Sequence, residues 1–271
     1  FGLIREVRRR KYDWALDFLS NGRTLTLSLF SGAKVRAGFD GHGIRKMVYN
    51  HRARTTDQKY LVEQKLDLVS SLGVKTDNWS WGLKIPKEIK DRILQMAGAV
   101  GRKRIGIACV TRRKTREWLL DRVAELSEKF LSQGYDVLFL WGPGEKSLVD
   151  DLAAKIRTAG KGGKVIVPPE TTIVELAALA ETCELVVAVD NGPKNLAAAL
   201  GVPTVTVHGP TNPRSFNPPD SARHPIVRDD ALHCIACGLN QCPYQHECMT
   251  HVSVEQVFSA AKNILDRKVN V

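Results

Sequence analysis

The chain has 271 residues, of which 43% are hydrophobic and 25% charged. That is the composition of a folded globular protein with room for two modest domains or one large α/β unit. It excludes a disordered tail, a collagen-like fibre and a small disulfide-stapled scaffold, and no apolar run approaches the ~20 residues of a membrane-spanning helix. Forty Lys and Arg against 29 Asp and Glu give +11, and residues 1–54 alone hold 12 basic and 4 acidic side chains. A basic region of this kind suits nucleic acid, an anionic membrane face or a phosphorylated substrate. The run Arg8-Arg9-Arg10-Lys11 also fits a solvated helix face. Neither aromatic-interleaved basic motifs nor zinc-finger His spacing occur, which makes nucleic acid the weaker reading. The first residues carry no apolar signal region, so the cytoplasm is the expected location. They also lack an initiator Met, so a longer parent chain is expected.

In chain order, a basic helix over 1–10 is followed by a strand at Tyr12–Phe18. Asn21-Gly22-Arg23-Thr24 opens a short helix, Val35–Phe39 is a strand, and residues 56–72 read as a helix stopped by Gly73. The pattern then lapses from Lys75 to about Arg102, interrupted by an amphipathic helix at 86–98. This places an N-terminal domain at 1–100, with its linker from about 75, and a C-terminal domain at 101–271. In the second domain, strands are expected at Arg104–Val110, Asp136–Trp141, Lys164–Val167, Glu184–Val189 and Thr204–His208. Helices at about 116–133, 145–158, 172–182 and 193–200 alternate with them, and a last helix at 253–267 closes the chain. Strands alternating with helices make a doubly wound, Rossmann-like parallel sheet. The first half, with about two strands and three helices, is too short to complete such a sheet alone. A missing opening piece is therefore expected.

The chemistry is concentrated in three strand-to-helix loops of the second half. Val186–Val189 runs into Asp190-Asn191-Gly192-Pro193, a strand end, a turn, and a Pro suited to the first helical position. Open α/β sheets bind ligands at this edge, and a helix N-terminus there favours a phosphate. Thr111-Arg112-Arg113-Lys114-Thr115-Arg116 follows the first strand, and guanidinium groups match phosphate oxygens in pairs. Trp141-Gly142-Pro143-Gly144-Glu145 follows the next strand and sets a carboxylate where a ribose could be held through its hydroxyls. No G-x-G-x-x-G or P-loop occurs, which excludes a standard NAD site and a Walker-type NTP site.

The run Asp190-Asn191-Gly192-Pro193-Lys194-Asn195-Leu196-Ala197-Ala198-Ala199-Leu200-Gly201-Val202-Pro203-Thr204, continuing to His208-Gly209-Pro210-Thr211, resembles the signature of the lipopolysaccharide heptosyltransferases, glycosyltransferase family 9. The resemblance extends to Thr115-Arg116-Glu117-Trp118, the Gly-Pro-x-Glu turn at 142–145, and in the first half to Arg8–Trp14, Ser31-Gly32-Ala33 and Gly38-Phe39. It implies an α/β GT-B fold, two Rossmann-like domains facing a cleft, with the N-terminal one here lacking its first strand–helix segment. It implies metal-independent, inverting transfer of a heptose or related sugar from a nucleoside-diphosphate sugar, ADP-heptose in the family, to a lipopolysaccharide core acceptor on lipid A. The cofactor expectation is none for transfer, and the location is cytoplasmic and peripheral to the inner membrane. The donor-binding residues it implies are Thr111, Arg112, Arg116, Glu145, Asp190, Asn191, Gly192 and Asn195. Arg116 contacts the phosphates, Glu145 the ribose, and Asp190, Asn191 and Gly192 the sugar and diphosphate. Where the family commonly has His, this chain has Asn195, which keeps a hydrogen bond and loses a charge. The family's general base is an Asp near its opening strand, so it is expected on the absent upstream segment; Asp13 and Asp17 lie on a later strand. A non-catalytic nucleotide-sugar-binding relative and a basic nucleic-acid-binding protein are the alternative readings.

Six cysteines remain. Cys109 and Cys183 read as buried core residues. The other four form Cys234-x2-Cys237-x4-Cys242-x5-Cys248, with spacings unlike a standard zinc ribbon. A structural zinc and reduced thiols or disulfides both remain open for them.

Overall fold

The computed structural model describes residues 2–41, 43–77, 79–96, 103–157 and 162–269. Gly101 and Arg102, the last two residues of the expected 86–98 helix and position 158 lie outside the described residues. The elements are, in order, α1 (Gly2–Arg9), β1 (Trp14–Asp17), α2 (Gly22–Phe30), β2 (Val35–Phe39), α3 (Arg45–Val48), β3 (His51–Ala53) and α4 (Leu61–Ser70), then α5 (Lys87–Met96), β4 (Arg104–Ala108), α6 (Leu120–Ser132), β5 (Asp136–Phe139), α7 (Lys146–Lys155), β6 (Val165–Ile166), α8 (Ile173–Glu181), β7 (Leu185–Val189), α9 (Gly192–Ala199), β8 (Thr204–Val207), α10 (Pro213–Phe216), β9 (Ile226–Val227), α11 (Glu247–Thr250) and α12 (Val254–Val269). They form two compact units, Phe1–Ser80 and Trp81–Val271.

In the first unit β1, β2 and β3 pair in that order, all parallel. Ala37, Phe39, Ala53 and Leu68 form its small core. Asn21 starts α2 with a capping box: its Oδ1 accepts from the Arg23 and Thr24 amides, while Thr24 Oγ1 accepts from the Asn21 amide. The third strand was not legible in the sequence, because His51-Arg52-Ala53 has no apolar alternation. Side chains bring it to β2 instead: Asn50 Oδ1 accepts from the Arg36 amide at 2.8 Å, and Asn50 Nδ2 donates to Lys34 O at 2.7 Å. In the basic helix α1, Arg9 and Arg10 both pair with Glu6, at 2.7 and 2.9 Å, on an exposed face. Asp17 is buried and structural. Its carboxylate accepts from the Leu19 and Ser20 amides and from the Tyr49 hydroxyl at 2.6 Å. Burial, then that bond, pushes the Tyr49 phenol up to about 12. Asp13 is exposed.

The second unit holds a six-stranded, all-parallel sheet in the order β6-β5-β4-β7-β8-β9. Numbered within this unit the order is 3-2-1-4-5-6, the doubly wound Rossmann arrangement. The sixth strand, Ile226–Val227, extends the five expected from the sequence; two residues are too few to show a period. Every residue of β4, β5, β7 and β8 is buried, as expected of parallel strands covered on both faces. Alternation along β7 separates the two cores. Leu185, Val187 and Val189 join Trp118, Phe130 and the α12 residues Val257 and Ile264 on one face. Val186 and Ala188 join Leu176, Leu179 and Ala197 on the other. The boundary expected near 100 places α5 with the first domain. Here α5 lies in the second unit, Ile93 packs in that unit's core, and Lys90 and Arg92 pair with Glu181 and Glu175 of α8 at 2.7 and 2.5 Å.

Candidate functional site

The chain order reverses between β4 and β7, and the loops after these two strands carry the largest set of predicted residues. Beyond β7 the chain leaves the sheet at Asp190 and enters α9 through Asn191. Asn191 joins helix to sheet: its Oδ1 accepts from the Lys194 amide at 3.2 Å, and its Nδ2 donates to Ala108 O, at the end of β4, at 2.6 Å. Pro193 occupies the first turn, where a missing N–H costs nothing. Ala197 and Ala198 are buried and let α9 lie close on the sheet. Gly192 is exposed, with open space where a side chain would stand.

Beyond β4, a 3-10 turn at Lys114–Arg116 swings Arg116 toward β7. Its Nη1 lies 3.2 Å from Asp190 O and 3.1 Å from Asp190 Oδ2. The other carboxylate oxygen, Oδ1, meets Lys194 Nζ at 3.0 Å, and that ammonium also donates to Phe216 O at 2.6 Å. Lys194 is fully buried and Asp190 is 6% exposed. Burial opposes the charged form of Asp190, but Lys194 first, then His208 and Arg116, outweigh it and hold the carboxyl below its usual range. Burial in turn lowers the Lys194 ammonium, with Asp190 opposing that shift. His208, behind the pair, is lowered to about 4 by burial and by the Lys194 charge, so it is neutral at pH 7. Its Nδ1 is 3.2 Å from Thr211 Oγ1. The arrangement is a fixed positive rim, Arg116 and the α9 N-terminus, around a carboxylate that is already neutralised from behind.

The sequence profile of glycosyltransferase family 9 (heptosyltransferase) matches residues 1–247. The chain belongs to this family. Among family-9 relatives, it is 22% identical to the lipopolysaccharide core heptosyltransferase OpsX of Haemophilus influenzae, over 97% of this chain and 78% of that protein. The glycosyl transferase family 9 structure from Veillonella parvula superposes with a TM-score of 0.79 at 22% identity, covering 98% of this chain and 78% of that one. Escherichia coli ADP-heptose lipopolysaccharide heptosyltransferase II does so at 0.75 and 20% identity, covering 98% and 80%. The structural likenesses establish the fold, two parallel-sheet Rossmann-like units, and the profile makes this a glycosyltransferase-family chain.

Arg116, Asp190, Asn191 and Gly192 thus stand together at the switch point of this family-9 fold. Thr111 accepts from the Arg113 amide at 3.2 Å and shapes the same loop, Arg112 is exposed, and Asn195 is exposed on the first turn of α9. Glu145 belongs to the loop beyond β5, where its Oε2 accepts from the Gly142 amide at 2.8 Å and closes its own turn. Lys194 and His208 were not singled out from the sequence. The available signal was the spacing of Asp190 and Lys194, four residues apart across a helix start, where side chains meet.

Of the remaining four cysteines, Cys234, Cys237 and Cys242 lie in the irregular stretch before α11, and Cys248 lies within α11. Cys237 is exposed, Cys234 and Cys242 half-buried, and Cys248 buried. Burial, then the neighbouring thiols of Cys242, Cys234 and Cys237, push the Cys248 thiol up to about 11. Cys109 and Cys183 are buried in the two cores, and burial raises each to about 12. No helix among the described residues is long and apolar enough to cross a membrane.

Proposed function

We propose that this family-9 chain transfers a heptose or closely related sugar from a nucleoside-diphosphate sugar, ADP-heptose by analogy with its relatives, to a hydroxyl of a lipopolysaccharide core acceptor, with inversion. The observation that carries the donor half is the convergence of Arg116 and the α9 N-terminus on the switch point between β4 and β7. A departing diphosphate is an anion that needs fixed positive partners. Arg116 spends Nη1 on Asp190, and a guanidinium has five N–H donors, so a paired contact to phosphate oxygens remains available. The α9 N-terminus adds its partial positive charge beside an uncrowded Gly192. The buried Asp190–Lys194 pair holds Arg116 in place, so the site is charged and positioned before ligand arrives. Thr111, Arg112 and Asn195 supply further polar groups at this edge, and Glu145 the ribose contact. The acceptor hydroxyl attacks the anomeric carbon from the face opposite the diphosphate, and the carbon–oxygen bond to the diphosphate breaks as the new bond forms. The concentration of basic residues in 1–54 supports a phosphorylated, membrane-anchored acceptor reached from the cytoplasmic side. The donor domain is the unit from Trp81 onward and the acceptor domain the unit before it.

Titration calorimetry tests the donor half. Arg116→Ala should weaken binding of ADP and of the ADP-sugar by about 1.5–3 kcal/mol, the range for a hydrogen bond to a charged group. Equal affinity of the native and variant proteins would remove Arg116 from the site. Native protein that binds neither ligand would overturn the donor assignment.

A further inference from the structure

We propose that Cys234, Cys237, Cys242 and Cys248 hold one thiophilic metal ion, zinc or iron, as a structural tetrathiolate that fastens the 232–250 segment beneath the loops carrying Thr115 and Gly209. All four cysteines line a single cavity of about 20 Å³, room for one water-sized occupant. The wall is otherwise mostly apolar, with Thr115, Pro210 and His246 among its residues. His246 is also in this wall, and its Nε2 is buried with no hydrogen-bond partner among the described residues.

The backbone around the cavity is held in conformations that need support. Ala236 and His246 have φ of 61° and 58°, in the left-handed region, and Gly238 has 72°. L-residues rarely adopt this conformation, so Ala236 and His246 are strained there and rely on their surroundings to hold it. The Ala236 amide donates to Gly209 O at 3.2 Å and the Gly238 amide to Pro210 O at 2.6 Å. These bonds turn Cys234-x2-Cys237 back toward the segment leaving β8. From the other side, a Cβ at Gly209 would lie 2.9 Å from Cys248 Sγ, so that thiol packs directly on the Gly209 backbone. Arg113 of the 111–118 loop reaches the same segment, donating to Asn240 Oδ1 at 3.1 Å.

No three His, Cys, Asp or Glu side chains among the described residues are already drawn together as a coordination shell. Binding therefore requires the thiols to turn inward across the cavity, to about 2.3 Å from the ion. Four soft sulfur donors in a tetrahedral setting select zinc or iron over magnesium or calcium. Four S–H protons leave to solvent as four metal–sulfur bonds form, and the site carries no redox step.

The test uses the full chain purified under reducing, anaerobic conditions and reconstituted separately with zinc and with ferrous iron. Elemental analysis should find about one equivalent of metal per chain, with the element distinguishing the two ions. Cys237→Ser and Cys242→Ser should each lower metal content about tenfold or more, while Cys183→Ser keeps it. Should the serine variants fail to fold, thiol alkylation of the native chain decides. Exposed Cys237 should be protected in the reconstituted protein and become reactive on chelation, with a fall in melting temperature. A metal content below about a tenth of an equivalent after both reconstitutions, with Cys237 freely alkylated, would overturn the proposal. So would peptide mapping that finds these cysteines joined as disulfides. Neither result depends on nucleotide binding, so the site stands or falls separately from the glycosyltransferase reading.

Discussion

Replacing Lys194 by Met isolates the charge that neutralises Asp190 from behind. Met keeps an unbranched stem of similar length and fills irregular space readily, so little of the effect comes from a void. What is lost is an ammonium with no solvent exposure, 3.0 Å from Asp190 Oδ1 and 2.6 Å from Phe216 O. Removing one partner of a buried pair costs about 3–5 kcal/mol, because the survivor keeps its desolvation cost without its counter-charge. Arg116 remains 3.1 Å from the other carboxylate oxygen, which places K194M at the low end, about 3 kcal/mol. For a unit of this size, each kcal/mol moves the melting temperature by about 2–4 °C, so a fall of roughly 6–12 °C is expected. Urea titration at pH 7 and calorimetric melting measure it. The double variant D190N/K194M removes both charges and should cost clearly less than the sum of the single variants. The pH dependence has a definite sign. Asp190 is held below its unfolded value of 3.8, so its stabilising contribution is present above that value and lost as pH falls through the lower, folded one. The gap between native and K194M proteins should therefore narrow in acid. A K194M protein within about 0.5 kcal/mol of native at pH 7, or a double variant showing simple additivity, would refute the reasoning.

Other outcomes follow from neighbouring groups. His208 and His224 are each lowered to about 4 from 6.5, by burial first and then by nearby cations. The unfolded chain therefore takes up protons before the folded one, and stability should decline from pH 6.5 toward 4, by about 3 kcal/mol per histidine at most. Denaturation at stepped pH reads it, and His224→Asn should flatten the slope; a flat native profile would contradict burial of the neutral rings. Gly38→Ala sets a Cβ 2.5 Å from the Tyr49 ring and must displace the hydroxyl from Asp17, costing about 1–3 kcal/mol by urea titration of the first unit. Glu145→Gln should weaken a ribonucleoside diphosphate by about 1 kcal/mol and leave inorganic pyrophosphate unchanged, measured by calorimetry. Equal losses for both ligands would take the carboxylate away from the ribose.

The second unit was legible because its strands are buried on both faces, so β-branched runs alternate with amphipathic helices and β4, β5, β7 and β8 begin within one residue of expectation. β3 and β9 were not, since three- and two-residue strands are too short to carry a period and are placed by side-chain bonds and neighbours. Within the site, Asp190-Asn191-Gly192-Pro193 was readable as strand end, cap and first turn because each residue type does one local job. Lys194 was not: a lysine in the first turn of a helix reads as solvated, and only its burial beside Asp190 and its bond to Phe216 O, 22 residues on, make it an interior charge. The role of Asp17 was likewise hidden, since its hydroxyl donor comes from Tyr49, 32 residues away.

The clasp formed by Asn191 also bears on how the protein ages. Asn followed by Gly is the dipeptide whose side-chain amide is most readily attacked by the next backbone nitrogen, closing to a succinimide and reopening as Asp or isoaspartate. Here both ends of the amide are engaged, Oδ1 by the Lys194 amide and Nδ2 by Ala108 O, so the carbonyl carbon is held away from that attack while the sheet is intact. An opened chain loses the protection, and an Asp so formed cannot re-enter, because its oxygen would face the Ala108 carbonyl where a donor is required. Deamidation at this position therefore accumulates as a chemical record of past unfolding.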